Sequence, residues 1–558
     1  MSEMTGGGTL AEALVRMGTN RLYGIIGTSN IGFVDSLYQV RDRIRYVSCR
    51  HEQVAASMAD VEGRLTGRPG VALVHSGGGA LNAAISMGNA RKDCSPMMVI
   101  SGAVKHSLAG SDGMLELDHV GLFAPLCKGA FRVDSTADIP SVLSKAYRMA
   151  MSGARGPVII EVPEDVWGER ARVDLDSLEF SVDPPPPVQD KDVAEAIELL
   201  SSARLPLVLA GGGVAYSNSS DKLLSFIEAL GVPVVTTGNG RGVISETHPL
   251  SLGRAGFGGG NLVADKALEK ADAIVCLGAG ISDMTTYEYT MPIMAADIMV
   301  FNISGNYASQ APGARVFACD VGEFLPVALE RLGDKRLQPR PGWEEELSEA
   351  RVMWDGLCQA ALSREGDLPA GARVARTLDE LLPDDTIVSV GAGTHLLYAM
   401  DFIPSRNPLT FMSTVNFGSM GFGFAANLAS RLAYPDRSAI AMLGDGDFMM
   451  TIQDLETAVR EDIPVKVFVM NDSQYRVLNI RQKLQFGGRI HGTEHGNPDF
   501  AALARDFGAA GYRLDRDSET RDVLEKALAE EGPTVVDVII DQDDLPPLNI
   551  EANLRMSM

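Results

Sequence analysis

Residues 443–474 read LGDGDFMMTIQDLETAVREDIPVKVFVMNDSQ, and the architecture follows from how they must fold. An apolar run, 438–443, stops at Gly444-Asp445-Gly446. Ile452, Leu455, Ala458 and Val459 then recur at helical spacing, and a second apolar run, 464–470, stops at Asn471-Asp472. Two apolar runs joined by a helical segment make a strand, a crossover and a second, parallel strand. Parallel strands end on one edge of their sheet, where ligands of open α/β sheets bind. Asp445 and Asp472 therefore emerge side by side although they lie far apart in the chain. Two carboxylates at neighbouring strand ends make a hard, oxygen-rich site suited to Mg²⁺ or Ca²⁺. Gly444 and Gly446 let backbone approach a phosphate closely. A GDG triplet alone is equally an ordinary strand-to-helix turn. The spacing to the second strand end gives it weight.

At 558 residues the chain is too long for one core. A hydrophobic share of 45% with 22% charged residues is that of a soluble globular protein. A net charge of −24 argues against nucleic acid and anionic membrane surfaces as partners. The six cysteines (Cys49, Cys94, Cys127, Cys276, Cys319, Cys358) show no CxxC spacing and read as thiols of a cytoplasmic protein. No basic-then-apolar leader opens the sequence, and no apolar run reaches membrane-spanning length.

Three α/β units are expected, each a doubly wound parallel sheet. The first covers residues 1–172, with strands near 22–26, 71–74, 97–100 and 158–162 and a helix over 52–65. Gly27-Thr28-Ser29 and His75-Ser76-Gly77 follow two of these strands. A proline run, 184–187, marks a linker. The second unit, 188–338, has glycines after its strands, Gly211 to Gly213 and Gly278 to Gly280; such turns more often serve tight packing than nucleotide binding. The third, 367–543, contains the opening stretch. Residues 544–558 are expected to be a tail or lid.

The GDG-to-Asn-Asp stretch resembles the diphosphate-binding signature of thiamine diphosphate (ThDP) enzymes, and the three units resemble that family's pyrimidine-binding, central and diphosphate-binding domains. Residues 51–104, beginning HEQVAASMADVEGRL, are similar to its acetolactate synthase-like branch. The resemblance implies that Asp445, Asp472 and the backbone carbonyl of Gln474 hold Mg²⁺ on the diphosphate. It implies that Glu52 activates the cofactor from a poorly solvated position. Gly391, Thr394 and His395 match the diphosphate loop. Gly418 and Met420 match the cofactor-bending segment. Gly27, Thr28, Ser76, Leu115 and Lys128 fall on the substrate side. His75 matches the proton-moving His of benzoylformate decarboxylase.

The departures are specific. Asp472 and Thr394 stand where the family usually has Asn and Gln. Ala103 and Leu115 replace polar substrate-side groups of acetolactate synthases, which favours a larger or less polar acceptor. Gly280-Ile281-Ser282-Asp283 replaces their Arg-Phe-Asp-Asp flavin segment, which counts against FAD. The resemblance implies a ThDP- and Mg²⁺-dependent enzyme that decarboxylates a 2-oxo acid and passes what remains to a proton or a carbonyl acceptor. Its small-molecule sites would lie between subunits of a homodimer or homotetramer. A lyase of 2-hydroxy ketones or 2-hydroxyacyl-CoA, a benzoylformate-type decarboxylase, and a non-catalytic nucleotide-binding relative are the alternatives.

Overall fold

In the computed structural model, which describes residues 2–257, 260–293, 297–305 and 313–549, three six-stranded parallel sheets are built from successive stretches of chain. The N-terminal sheet runs, edge to edge, Arg45–Ser48, Arg21–Gly24, Gly70–Val74, Met97–Ala103, Pro157–Pro163, Gly129–Arg132. The C-terminal sheet runs Phe411–Met412, Ile387–Val390, Ala439–Gly444, Lys466–Asn471, Thr534–Ile539, Ala510–Leu514, the same order of connection. The central sheet differs. It runs Ser251–Arg254, Val234–Thr236, Pro206–Ala210, Ala273–Leu277, Asp297–Asn302, Arg315–Ala318, winding outward both ways from its first strand. The expected doubly wound α/β class is the observed one. A short antiparallel ribbon, Ser2–Thr5 with Arg170–Val173, closes the N-terminal unit.

Each sheet has a point where the winding reverses, leaving a crevice at the carboxyl ends of two strands. In the N-terminal sheet it lies between Arg21–Gly24 and Gly70–Val74, so Gly27 to Ser29 face His75 and Ser76. In the C-terminal sheet it lies between Ile387–Val390 and Ala439–Gly444, so Gly391 to His395 face Asp445. In the central sheet it is closed: Gly213 N–H donates to the Gly278 carbonyl at 3.1 Å, and a Cβ on Gly211 would meet that oxygen at 2.4 Å. The two glycine turns there pack on each other, and these amides are taken by backbone.

The helix Glu52–Thr66 is buried from Glu52 to Leu65. A helix buried all round must be packed on every side. One side meets the N-terminal sheet; the other meets the helix Phe422–Ala433 of the C-terminal unit, in one shared apolar core that includes Val54, Met58, Phe422 and Leu428. Small residues permit the approach: a Cβ on Gly63 would lie 2.0 Å from the Pro96 carbonyl oxygen. Near its end, Arg64 holds Asp60 through two hydrogen bonds (2.6 and 2.8 Å), Asp93 at 2.9 Å and the Ser413 carbonyl at 2.9 Å. Asp93 also accepts from Asn239 and Asn416, both at 2.7 Å, while its carbonyl accepts from Tyr216 at 3.0 Å. All three units meet at this carboxylate.

The expected free tail is tied down as far as it is described. Asp544 is buried, accepts from Gly371 N–H at 2.7 Å and pairs with Arg364 at 3.1 Å. Asn549 Nδ2 donates to Asp265 of the central unit at 2.7 Å. Polar anchors of this kind carry no hydrophobic periodicity, so the pattern of residues 544–549 conceals them; 550–558 lie outside the described residues. None of the six cysteines forms a disulfide, and four are buried. No helix among the described residues is long and apolar enough to cross a membrane.

Arg64→Met would strand two buried carboxylates. Breaking a buried pair from one side costs about 3–5 kcal/mol. Chemical denaturation should therefore begin at clearly lower denaturant, with the N- and C-terminal units losing structure together. A variant as resistant as the parent would show that the three-unit junction does not depend on this cation.

Candidate active site

At the N-terminal switch point, two strand ends meet through one serine. Ser29 Oγ lies 2.7 Å from His75 Nδ1 and accepts from Ser76 N–H at 2.9 Å, while Ser29 N–H reaches the same Nδ1 at 3.4 Å. Donation from an amide requires a lone pair on Nδ1, so the ring proton sits on Nε2. Gly27 lies against the ring: a Cβ there would come within 2.5 Å of it. Thr28 is exposed. Burial pulls the His75 imidazole below its ordinary pKa, against the charges of Glu52 and Glu164.

The residues after His75 are held from the other side. Ser76 Oγ donates to the Leu115 carbonyl at 2.8 Å. Leu115 itself has φ +68°, a left-handed conformation costly for a side chain with a Cβ and typical of constrained sites. Gly77 N–H donates to His119 Nε2 at 3.1 Å, and His119 Nδ1 donates to Glu161 at 2.7 Å, whose second oxygen takes Arg132.

Glu52 opens its helix and is 8% exposed. Its Oε2 accepts from Asn82 Nδ2 at 2.9 Å. Gly79 lies between it and His75: a Cβ there would meet Glu52 Oε1 at 2.9 Å and His75 Cβ at 3.0 Å. Glu52, His75, Ser76 and Leu115 thus form one cluster. Lys128 is not brought there. It precedes Gly129–Arg132 at the opposite edge of the sheet, its Nζ donating to the Ser152 carbonyl at 2.6 Å, and burial lowers its pKa to about 8.

Beside the C-terminal switch point, on the same edge of the sheet, Asp445 and Asp472 leave adjacent parallel strands, with Gly444 level with Met470. Asp445 Oδ2 accepts from Ser473 N–H at 2.7 Å and Asn497 Nδ2 at 2.6 Å, and its Oδ1 from Gly446 N–H at 2.7 Å. Asp472 Oδ1 accepts from Gln474 N–H at 3.0 Å across Ser473, whose φ of +58° makes the tight turn. Arg476 pairs with the other oxygen at 3.4 Å. Burial raises Asp445, and it pushes Asp472 up to about 7, where Arg476 opposes the rise and Asp445 adds to it.

Behind this edge sit His395 and Asp447. Thr394 and His395 begin the helix Thr394–Phe402. Burial takes His395 down to about 3, against a hydrogen bond to the Gly391 backbone. The ring is therefore neutral at physiological pH, and it fills the space beside Gly393 and Gly444. Asp447 Oδ1 accepts from Gly421 N–H at 2.6 Å, and burial raises its carboxyl to about 7. Gly418 and Gly421 have φ of +73° and +82°. The segment they bound is braced by the first unit. Gln53 Nε2 donates to the Met420 carbonyl at 3.0 Å, and Asn89 pairs with Ser419 Oγ at 2.7 Å.

The match to known families falls on these two edges. Residues 4–122, 193–326 and 391–538 match, in turn, the "N-terminal TPP binding domain", "central domain" and "C-terminal TPP binding domain" of the thiamine pyrophosphate enzymes. The chain is 30% identical over 560 residues to the probable acetolactate synthase large subunit of Methanococcus aeolicus, covering 96% of this chain and 92% of that protein. It is also 30% identical over 557 residues to the acetolactate synthase isozyme 3 large subunit of Escherichia coli K12, covering 97% and 96%. The chain belongs to the acetolactate synthase-like family of ThDP enzymes.

The residues fit that family's cofactor. Gln474 Oε1, His395 Nε2, His495 Nε2 and Asp447 Oδ2 are buried without a hydrogen-bond partner, all around the C-terminal edge. Native structures pair buried polar atoms, and gaps of this kind cluster where a ligand supplies the partner. Among the described residues, no three His, Cys, Asp or Glu side chains gather for a metal. Two carboxylates whose shell is completed by backbone, phosphate and water is how Mg²⁺ is usually held. Sequence reasoning missed Ser29, Asn82, His119, Glu161, Asp447, His495 and Asn497. Ser29, Asn82 and Asp447 stood inside stretches already singled out, though none of the three was picked from them.

Ser29→Ala removes both the acceptor of the Ser76 amide and the hydroxyl on His75. An unmet buried amide and a loosened imidazole are worth about 1–3 kcal/mol, so turnover should fall about ten- to a hundredfold. ThDP affinity should stay unchanged, since Ser29 touches no group of the C-terminal edge. Steady-state kinetics with a ThDP titration reads both, and unaltered turnover would separate Ser29 from the mechanism.

Proposed function

We propose that this chain decarboxylates a 2-oxo acid with ThDP and Mg²⁺ and joins what remains to a carbonyl acceptor. The observation that carries this reading is the pair of strand-end clusters, Glu52 with His75 beside one sheet and Asp445 with Asp472 at the edge of another, in a chain of this family. ThDP, when bound, supplies a carbanion at C2 of its thiazolium ring. Asp445, Asp472 and the Gln474 carbonyl would hold the metal, while Gly391, Thr394, Gly444 and Gly446 give the diphosphate room and amides. Met420, its carbonyl fixed by Gln53, would support the cofactor's bend, with Gly418 offering a carbonyl to the 4′-amino group. Glu52, shielded from water, exchanges a proton with the aminopyrimidine N1′. His75, held through Nδ1 by Ser29, would move a proton at Nε2, which also favours a proton as acceptor in part of the turnover. Leu115 and Ala103 leave that side less polar, fitting an acceptor with an apolar substituent. FAD is left out because Gly280-Ile281-Ser282-Asp283 stands where acetolactate synthases carry their flavin segment. A cytoplasmic location agrees with six cysteines that form no disulfide.

We also propose that the working unit is a homodimer or a tetramer built from it, with each site shared between subunits. In one chain the hydrogen bonds of Glu52 go to Asn82 and those of Asp445 to Ser473 and Asn497, so the two halves are built separately. Each half carries exposed apolar side chains beside it: Leu81 and Ile85 near Glu52, Met449 and Met450 near Asp445. Exposed apolar groups concentrated beside a functional edge mark an interface.

Two experiments test these readings. Glu52→Gln should bind ThDP yet lose C2 hydrogen–deuterium exchange and turnover by about a hundredfold or more, whereas His75→Ala should lose turnover with near-normal exchange. Undiminished turnover in Glu52→Gln would remove it from the chemistry. For the assembly, inactive Glu52→Gln and Asp445→Asn chains, mixed and allowed to exchange subunits, should regain activity, because one site of the mixed dimer is then intact. A light-scattering mass of a single 59.5 kDa chain with cofactor present would contradict the shared site.

A further inference from the structure

The segment after the metal-binding turn folds back over it. Tyr475 N–H donates to the Thr493 carbonyl at 2.7 Å, His495 N–H to the Ser473 carbonyl at 3.1 Å, and Gln474 bridges Glu494 in antiparallel register. This short ladder brings two side chains, His495 and Asn497, onto the Asp445 edge. Asn497 is fully employed. Its Nδ2 donates to Asp445 Oδ2 at 2.6 Å and Asn471 Oδ1 at 2.8 Å, with Ser473 Oγ at 3.3 Å.

His495 is not. Its Nε2 is buried, makes no hydrogen bond and stands 3.9 Å from Asp445 Oδ1, beyond hydrogen-bond reach. The ring is kept in place by the edge of Tyr475, with centroids 4.8 Å apart and planes at 68°. Gly446 makes the room: a Cβ there would meet Tyr475 at 2.7 Å and His495 Nε2 at 3.4 Å. On the facing side of the ladder, Gln474 is 8% exposed and its Oε1 is likewise buried and unpaired. A ring nitrogen fixed by stacking, freed from water and left without a partner is a donor prepared for a ligand.

We propose that His495 is a further binding residue of this site, donating Nε2–H to an oxygen of the metal-held diphosphate, beyond the GDG and Asn-Asp pattern. The proposal rests on the ThDP reading of Asp445 and Asp472. It gives the diphosphate a contact from the 493–497 segment, so cofactor binding also fastens that segment.

The test is ThDP binding to the full-length protein at fixed Mg²⁺, followed by calorimetry, with inorganic pyrophosphate as a second probe. His495→Ala should raise the dissociation constants of both by about ten- to a hundredfold, the size of one hydrogen bond to a charged group. His495→Gln, which restores an N–H donor, should recover much of the loss, and the melting temperature of the cofactor-free protein should be the same in all three. Equal affinity in parent and Ala variant would overturn the proposal and leave His495 as packing for Tyr475. Equal loss in Ala and Gln with a lowered cofactor-free melting temperature would overturn it in favour of a structural role. A parent protein that binds pyrophosphate and ThDP at no concentration would instead sink the ThDP reading, and this proposal with it.

Discussion

The burial of one helix governs the rest of the structure. Glu52–Thr66 has no solvent face, and its charged Asp60 and Arg64 are compensated inside the protein by each other, by Asp93 and by the Ser413 carbonyl. Removing a guanidinium and two carboxylates from water is expensive unless geometry and hydrogen bonds repay it. Here they do so by recruiting Asn239, Tyr216 and Asn416 from the other two units. The consequence for function is positional. Glu52 stands at the first residue of this helix and Gln53 at the second. Gln53 grips the Met420 carbonyl, so the start of this helix and the 418–421 segment are held together within one chain.

Topology then supplies the two edges. The outer sheets share one strand order and reverse at the same point of it, so each presents two strand ends side by side. The same geometry carries different chemistry because different residues follow the strands: Ser29 and His75 on one sheet, Gly391 and Asp445 on the other. The central sheet, wound in the order associated with dinucleotide binding, has its crevice closed by glycine-on-glycine packing. Strand order offers a site; the residues after the strands determine whether it is open.

Much of this was legible in the sequence, and the limits are physical. Apolar runs between glycine turns identified the buried strands Gly70–Val74, Ala273–Leu277 and Lys466–Asn471 to within a residue or two. The crossover after Asp445 read as one helix but is two short ones with a 3₁₀ turn between, the break falling at Thr451, whose φ of −138° is not helical. Edge strands such as Gly129–Arg132, only half buried, left no apolar run to see. Residues within a motif, such as Asp445 and Asp472, emerge side by side as their spacing implied. Asn82 on Glu52, His119 on Gly77 and Asn497 on Asp445 were not legible, since each lies 30 or more positions from its partner and is joined to it only by folding.

Asp472 shows how such distant partners alter the meaning of a motif. Read alone, a second carboxylate beside a diphosphate adds repulsion where the family usually has a neutral amide. In the fold its outer oxygen faces Arg476, a buried guanidinium that also donates to the carbonyls of Asp541 and Asp544. Gln542 Nε2 meanwhile holds the Asp472 carbonyl at 3.0 Å. The added negative charge is thus matched by a positive one, and both are clamped by the segment that follows the last strand. Removing one member of a buried pair leaves the other uncompensated, whereas removing both can be nearly neutral. Asp472 and Arg476 therefore stand or fall as one buried pair. The 541–549 segment, continuing to Asn549 on Asp265, is the brace that holds this pair at the carboxyl edge of the C-terminal sheet.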